Sequence, residues 1–303
     1  LPSLANKVFL VTGGTAGIGF GISAHILAHN PGKLYILSRN PSHAATALKD
    51  LKKYGDTGKV EWVQCDLGCL KSVDVTARWI RRECPRLDSI IANAGLGVGK
   101  FGLSADGIEH HFQVNHLSHQ HLILTLLPLL LSTATPRSPT RITLQSSSLH
   151  AYTPPSTRFL SLAEINTDLG PTHLYNRSKL ANLLFMRGLL SRRLDLKEKG
   201  VLVNCTHPGA VRTGQQEQAV EAYGEVTRVL ERVVRWGMKD PVEEGCSAAL
   251  WAGVGEEVGR ERVSGVYVTP PNRISQPDRM AGSVELRENL WRLSEELLKE
   301  KLG

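Results

Sequence analysis

Tyr175 and Lys179 stand four positions apart in Leu174–Lys197, a stretch whose apolar spacing predicts a helix, so both side chains leave one face. A phenol ionises at pKa ~10, and bringing it near 7 needs roughly 4 kcal/mol. One ammonium about 4 Å away, at an effective dielectric near 20, supplies about that much. A tyrosine so placed can give a proton in one direction of a reaction and take it in the other. A hydroxyl beside it could hydrogen-bond a substrate oxygen as charge develops there, and Ser146, Ser147 and Ser148 follow a strand-like run, Arg141–Leu144.

A second constellation binds rather than reacts. Thr12-Gly13-Gly14-Thr15-Ala16-Gly17-Ile18-Gly19 lies between an apolar run, Lys7–Thr12, and a helical one, Gly17–His29. Glycines there permit positive φ and close approach of a pyrophosphate, while the new helix points its N–H groups at the anion. Gly13, Thr15, Gly17, Ile18 and Gly19 are therefore candidate dinucleotide contacts. At the end of the next strand the chain reads Leu34-Tyr35-Ile36-Leu37-Ser38-Arg39-Asn40, with no carboxylate for a ribose 2′-hydroxyl. Arg39 suits a 2′-phosphate, and Ser38 and Asn40 can donate hydrogen bonds, so NADP(H) is expected over NAD(H).

The elements that must position these groups alternate along the chain. Further strands are predicted at Leu34–Leu37, Val60–Cys65, Ile90–Ala92, Arg141–Leu144, Val201–Thr206 and Val266–Val268. Helices are predicted at Ala44–Lys53, Val73–Arg82, Ile108–Leu131, Leu174–Lys197, near Val220–Trp236 and Val242–Trp251, and at Val284–Leu302. Asn30-Pro31-Gly32 ends the first helix. Strands alternating with crossover helices imply an α/β fold: a doubly wound parallel sheet of about seven strands (Rossmann fold) with helices on both faces. The 303 residues contain no linker, and one domain over 1–303 is expected.

Composition narrows the function classes. Net charge is +7, but the basic residues are dispersed, which argues against nucleic acid and suits a phosphorylated small ligand. Five scattered cysteines, none in a C-x-x-C pair, suit neither zinc nor a disulfide framework and point to a reducing compartment. His110, His111, His116, His119 and His121 match no ligand spacing, so no metal is expected and helix-surface or cofactor-loop roles are assigned to them. The longest apolar run, Leu122–Leu131, is far short of the ~20 residues of a membrane helix, so a cytoplasmic protein without stable membrane insertion is expected. Because the chain opens on Leu1 rather than Met, a preceding anchor segment stays compatible with it.

In order along nearly the whole chain, these features resemble the short-chain dehydrogenase/reductase family. The glycine turn is similar to its Thr-Gly-x-x-x-Gly-x-Gly, Asp66-Leu67 to its adenine-contacting Asp, and Asn93-Ala94-Gly95 to its Asn-Ala-Gly. Tyr175-Asn176-Arg177-Ser178-Lys179 matches its Tyr-x-x-x-Lys, and Val114-Asn115-His116-Leu117 resembles the helix bearing its catalytic Asn. His207-Pro208-Gly209, followed by Val211 and Thr213, looks like the turn and hydroxyl that hold the nicotinamide carboxamide. The resemblance implies a catalytic set of Asn115, Ser147, Tyr175 and Lys179, with Ser147 chosen because the family's strand ends in Ser-Ser with the second serine catalytic. It also implies that Lys179 holds the nicotinamide ribose and that Asn115 carries a water in a proton relay.

Twenty-eight positions separate Ser147 from Tyr175, and the insert, with Ser178-Lys179-Leu180-Ala181-Asn182, resembles the branch of retinol dehydrogenases and WW-domain oxidoreductases. That branch implies a small, hydrophobic carbonyl or alcohol substrate. Insertions at 151–173 and 210–240 are expected to line the substrate cleft, with His150, Tyr152 and Tyr223 as substrate contacts. Two other readings stay open: non-redox cyclisation or isomerisation on the same scaffold, and a non-catalytic NADP(H)-binding sensor or scaffold. The helices Ile108–Leu131 and Leu174–Lys197 could pair two chains into a homodimer.

Overall fold

The computed structural model describes residues 2–135, 137–211 and 240–303. Eight strands form one sheet in the order β3-β2-β1-β4-β5-β6-β7-β8. These are β1 (Val8–Thr12), β2 (Lys33–Ser38), β3 (Val60–Gln64), β4 (Ser89–Ala92), β5 (Thr140–Gln145), β6 (Val201–Thr206), β7 (Tyr267–Thr269) and β8 (Arg273–Ser275). The first seven run parallel, and β8 turns back antiparallel on β7. The eighth strand exceeds the expected seven; it is three residues long and mostly exposed, so no apolar pattern announced it. All of β1 is buried, as a strand covered on both faces must be. Its alternate residues go opposite ways: Val8 and Leu10 join the core beneath α3 (Leu70–Glu83), α5 (Ser118–Thr133) and α7 (Pro171–Arg192), and Phe9 and Val11 join that beneath α1 (Gly17–Ala28) and α8 (Ser247–Val254).

Caps explain where two helices begin earlier than their apolar pattern. The α2 helix (Pro41–Leu51) starts at Pro41 because Asn40 Oδ1 accepts the Ser42 and His43 N–H groups. Likewise α7 starts at Pro171, behind Gly170 at φ 80°. The expected helix Ile108–Leu131 is interrupted: a short α4 (His110–Phe112) leads into a π-helical turn, Gln113–Leu117, before α5. The expected Val242–Trp251 helix is also divided, into a π turn at Pro241–Gly245 and α8. The helix expected near Val220–Trp236 lies outside the described residues.

After a short α6 (Leu162–Ile165) in the insert and α9 (Glu256–Arg260) near the sheet edge, the chain closes with α10 (Val284–Leu302) laid along α7. Trp291 stacks on Phe185 with ring centroids 5.8 Å apart, and the Arg192 guanidinium sits 4.4 Å from the indole. Gly188 makes room, since a Cβ there would stand 2.9 Å from the indole edge. This helix covers part of the α7 surface. Among the described residues no helix is long and apolar enough to cross a membrane. Replacing Trp291 by Ala should cost about 3–5 kcal/mol in urea unfolding through the cavity it leaves. Leu194→Ala, at 82% exposure, should stay within about 0.5 kcal/mol; equal effects would contradict this packing.

Candidate active site

The order in which the chain adds strands reverses between β1 and β4, and the crevice beyond the strand ends at such a point is where α/β sheets bind ligands. A cleft of about 780 Å³ opens there, running from Arg39 and Asp66 past the glycine turn to Tyr175, Lys179 and Pro208. Gly13 and Gly17 adopt φ 67° and 51°. A Cβ on Gly19 would overlap the Gly13 carbonyl oxygen and stand 2.6 Å from Asn93 Nδ2, so only glycine fits. No side chain caps the α1 N-terminus at Ala16, which leaves first-turn N–H groups for an anion.

Of the expected cofactor contacts, Thr15, Ile18, Ser38, Asn40, Leu67, Asn93, Ala94 and Gly95 also line the cleft. Gly209, at φ 85°, and Val211 lie next to it in the chain without lining it. Thr213 falls outside the described residues, as does Tyr223. Arg39 is exposed at the mouth of an adjoining groove shared with Asn40, Gln64, Asp66 and Ser72. Ser38 Oγ accepts from Trp62 Nε1, and Asn40 Oδ1 is occupied in capping α2. Asp66 Oδ1 accepts the Gly68 N–H. These residues fit the adenosine end of a nicotinamide dinucleotide: an exposed guanidinium, no carboxylate at the end of β2, and glycine where a phosphate must come close.

At the other end, α7 brings Tyr175 and Lys179 to the cleft. The Lys179 Nζ lies 5.4 Å from the centre of the Tyr175 ring and donates to the Gln145 carbonyl at 3.2 Å. Burial pushes the Lys179 amine down to about 8. Burial also raises the Tyr175 phenol, opposed by a hydrogen bond with Ser147. The lowering expected from Lys179 alone therefore does not prevail; desolvation of the phenol, left out of the sequence arithmetic, is larger. Ser146 Oγ donates to the Lys179 carbonyl at 2.8 Å and Ser148 is exposed, so of the three serines Ser147 faces the phenol.

Asn115 sits in the π turn, fully buried. Its Oδ1 accepts the Leu96 N–H at 2.7 Å, and its Nδ2 donates to Ser178 Oγ at 2.9 Å and the Leu96 carbonyl at 3.1 Å. Its main-chain oxygen accepts from His119 Nδ1 and from Asn182 Nδ2. Both protons of the amide and both lone pairs of the main-chain oxygen are thus engaged, and the residue fastens the loop after β4 to α7. Asn182, which also donates to the Gln145 carbonyl, went unassigned in the sequence although it lies three positions after Lys179 on one helix face.

His150 is buried, with Nδ1 donating to the Ser147 carbonyl, Nε2 accepting the Asp278 N–H, and its ring edge-on to Tyr267. Both nitrogens are committed, so its place supports the Ser147 turn. Tyr152 is 68% exposed. The insert is built rather than loose: Glu164 accepts the N–H groups of Arg158, Phe159 and Leu160, and the buried Arg177 holds the Glu164 and Ile165 carbonyls. Three of the five helix histidines expected at the surface or in loops, His111, His116 and His119, are buried.

A family model described as short chain dehydrogenase matches residues 7–149. The chain is 34% identical to the mitochondrial oxidoreductase bli-4 of Neurospora crassa, over 99% of this chain and 73% of that one. It is 30% identical to the WW domain-containing oxidoreductase of Homo sapiens, over 98% of this chain and 69% of the other. A solved Pseudomonas aeruginosa RhlG/NADP complex superposes with a TM-score of 0.66 at 24% identity, covering 88% of this chain and 96% of that one, a likeness of fold.

The buried histidines give the fold a pH dependence. Burial holds His116 at about 3 and His119 and His207 at about 4, below the ordinary 6.5. The unfolded chain therefore binds more protons below pH ~6.5, and stability falls from there toward pH ~4. Thermal unfolding should show a steadily lower midpoint across that window, and a flat profile would contradict neutral burial.

Proposed function

Since the chain belongs to the short-chain dehydrogenase/reductase family, whose members are oxidoreductases, we propose that it interconverts a carbonyl and an alcohol on a small hydrophobic molecule by hydride transfer with NADP(H). The observation that carries this reading is the joining of two ends of one cleft: Arg39 at one, and at the other Tyr175, hydrogen-bonded to Ser147 behind the cleft wall, with Lys179. When bound, the nicotinamide would supply or accept the hydride. In reduction Tyr175 gives its phenolic proton to the substrate oxygen, and in oxidation it takes one back. Ser147 donates to that oxygen as charge builds on it. Lys179 steadies the phenolate electrostatically and would hold the nicotinamide ribose when the cofactor is bound.

Burial of the phenol favours the protonated tyrosine, the form that reduction needs. The preference for NADP(H) rests on Arg39, and the NADP named with the Pseudomonas relative agrees with it. On this reading residues 1–303 are one domain, with the insertion 151–173 on the substrate side of the cleft; nearly all of the other expected insertion, 210–240, lies outside the described residues. Its five free cysteines suit a reducing compartment, which covers both the expected cytoplasm and the mitochondrial location named for the Neurospora relative.

The test is oxidation of NADPH by the purified protein with a panel of apolar aldehydes and ketones. Tyr175→Phe should lower kcat about 10²–10⁴-fold while NADPH still binds. Ser147→Ala should cost about 10²–10³-fold and Ser148→Ala almost nothing. Arg39→Ala should weaken NADPH by about 10–100-fold and leave NADH affinity unchanged. A fully active Tyr175→Phe enzyme, or equal losses for both cofactors, would refute the assignment.

A further inference from the structure

His119 is almost completely buried at the start of α5, and the reaction proposed above gives it no role. It nevertheless touches both halves of the site. One ring nitrogen, Nδ1, lies 3.1 Å from the Asn115 carbonyl; the other, Nε2, lies 2.9 Å from Thr12 Oγ1 at the head of the glycine turn. The chemistry of these partners fixes every proton. A carbonyl can only accept, so Nδ1 carries the hydrogen. Burial keeps the ring neutral, with its pKa pushed down to about 4, so Nε2 is an acceptor and the Thr12 hydroxyl must donate to it. That orientation turns a Thr12 lone pair toward the Ala94 N–H, 2.9 Å away. The result is a chain of one polarity: Ala94 N–H to Thr12, Thr12 O–H to His119, His119 N–H to Asn115.

The chain continues into the catalytic helix. The Asn115 oxygen also accepts from Asn182 Nδ2, whose second proton goes to the Gln145 carbonyl, and that carbonyl accepts Lys179 Nζ. Asn115 belongs to the π turn in which the Ser118 N–H reaches back five residues to Gln113. In a regular α-helix the Asn115 oxygen would take the N–H of residue 119. Here two side-chain donors satisfy that oxygen, which suits a widened turn in a buried place.

We propose that His119 is a positioning residue that locks the dinucleotide-binding turn to the catalytic segment, through Thr12 on the cofactor side and Asn115 on the reacting side. The proposal rests on the function above and adds a division of labour to it: the Nε2 bond holds the cofactor-binding turn, and the Nδ1 bond holds the Asn115–Lys179 side.

Single substitutions separate the two bonds. His119→Asn keeps an amide N–H near the place of Nδ1 and loses the reach to Thr12. His119→Gln places an amide oxygen near Nε2 for the Thr12 hydroxyl and gives up the bond to Asn115. His119→Phe removes both. NADPH affinity is read by quenching of protein fluorescence, kcat by NADPH oxidation, and folding by the thermal midpoint. With Phe, NADPH binding should weaken and kcat should fall, each by about tenfold. Asn should bring kcat back to within about threefold of wild type without restoring affinity, and Gln should restore affinity without restoring kcat. Should Asn and Gln restore both quantities alike, or Phe change neither, His119 only fills space and the proposal is overturned. The binding arm does not need turnover: a wild-type protein that binds NADPH but reduces no carbonyl overturns the proposed function, and the affinities of the Gln and Phe variants still decide His119.

Discussion

An ammonium and a phenol must be kept side by side away from water, and a network of buried dipoles serves that constraint. Lys179 is 3% exposed and Tyr175 9%. Burial opposes the charged form of each, lowering the amine from 10.5 to about 8 and raising the phenol, the former a displacement worth roughly 3 kcal/mol. What compensates is a set of fixed dipoles: the Gln145 carbonyl on Lys179, Ser147 on the phenol, and Asn182 bridging two main-chain oxygens. The phenol is therefore poised beside the ammonium rather than already ionised. A positive charge brought to the cleft would favour phenolate, and a closed apolar substrate would favour phenol.

The fold delivers that pair through short-range rules applied in the right places. A strand buried on both faces ends at a turn only glycine can make. The strand order reverses beside it, and α7 crosses the opening with Tyr175 and Lys179 one turn apart. The insert between β5 and α7 is tied to the same helix by Arg177, which lies between those two residues and holds the carbonyls of Glu164 and Ile165. The insert and the helix that carries Tyr175 and Lys179 are thus fastened to each other. On the outer side α10 backs α7 through Trp291, so α7 is braced on both flanks.

Much of this was legible in the sequence, and the parts that were not share a cause. The glycine turn, the parallel strands and the Tyr175–Lys179 spacing are local patterns, and the closing helix Val284–Leu302 has the boundaries its apolar stripe implies. The π turn around Asn115 was hidden because the apolar spacing runs on across it. Its opening depends on Asn182, 67 positions away. His150 looked available for a substrate because nothing nearby in the chain shows that Asp278, 128 positions on, would occupy its second nitrogen. The early starts of α2 and α7 were written in Asn40-Pro41 and Gly170-Pro171, capping signals that outrank the apolar pattern. The sign of the Tyr175 shift was missed for a physical reason: the Coulomb attraction of Lys179 was counted and the cost of burying the phenolate was not.

The most direct test is an ultraviolet difference titration of the Tyr175 phenol, wild type minus Tyr175→Phe, with and without saturating NADP⁺. The phenol should ionise above its ordinary ~10 in the protein alone and at distinctly lower pH with the oxidised cofactor bound. A Tyr175 that is already phenolate near neutrality without NADP⁺, or whose titration NADP⁺ does not move, would contradict a buried acid poised for the cofactor's charge.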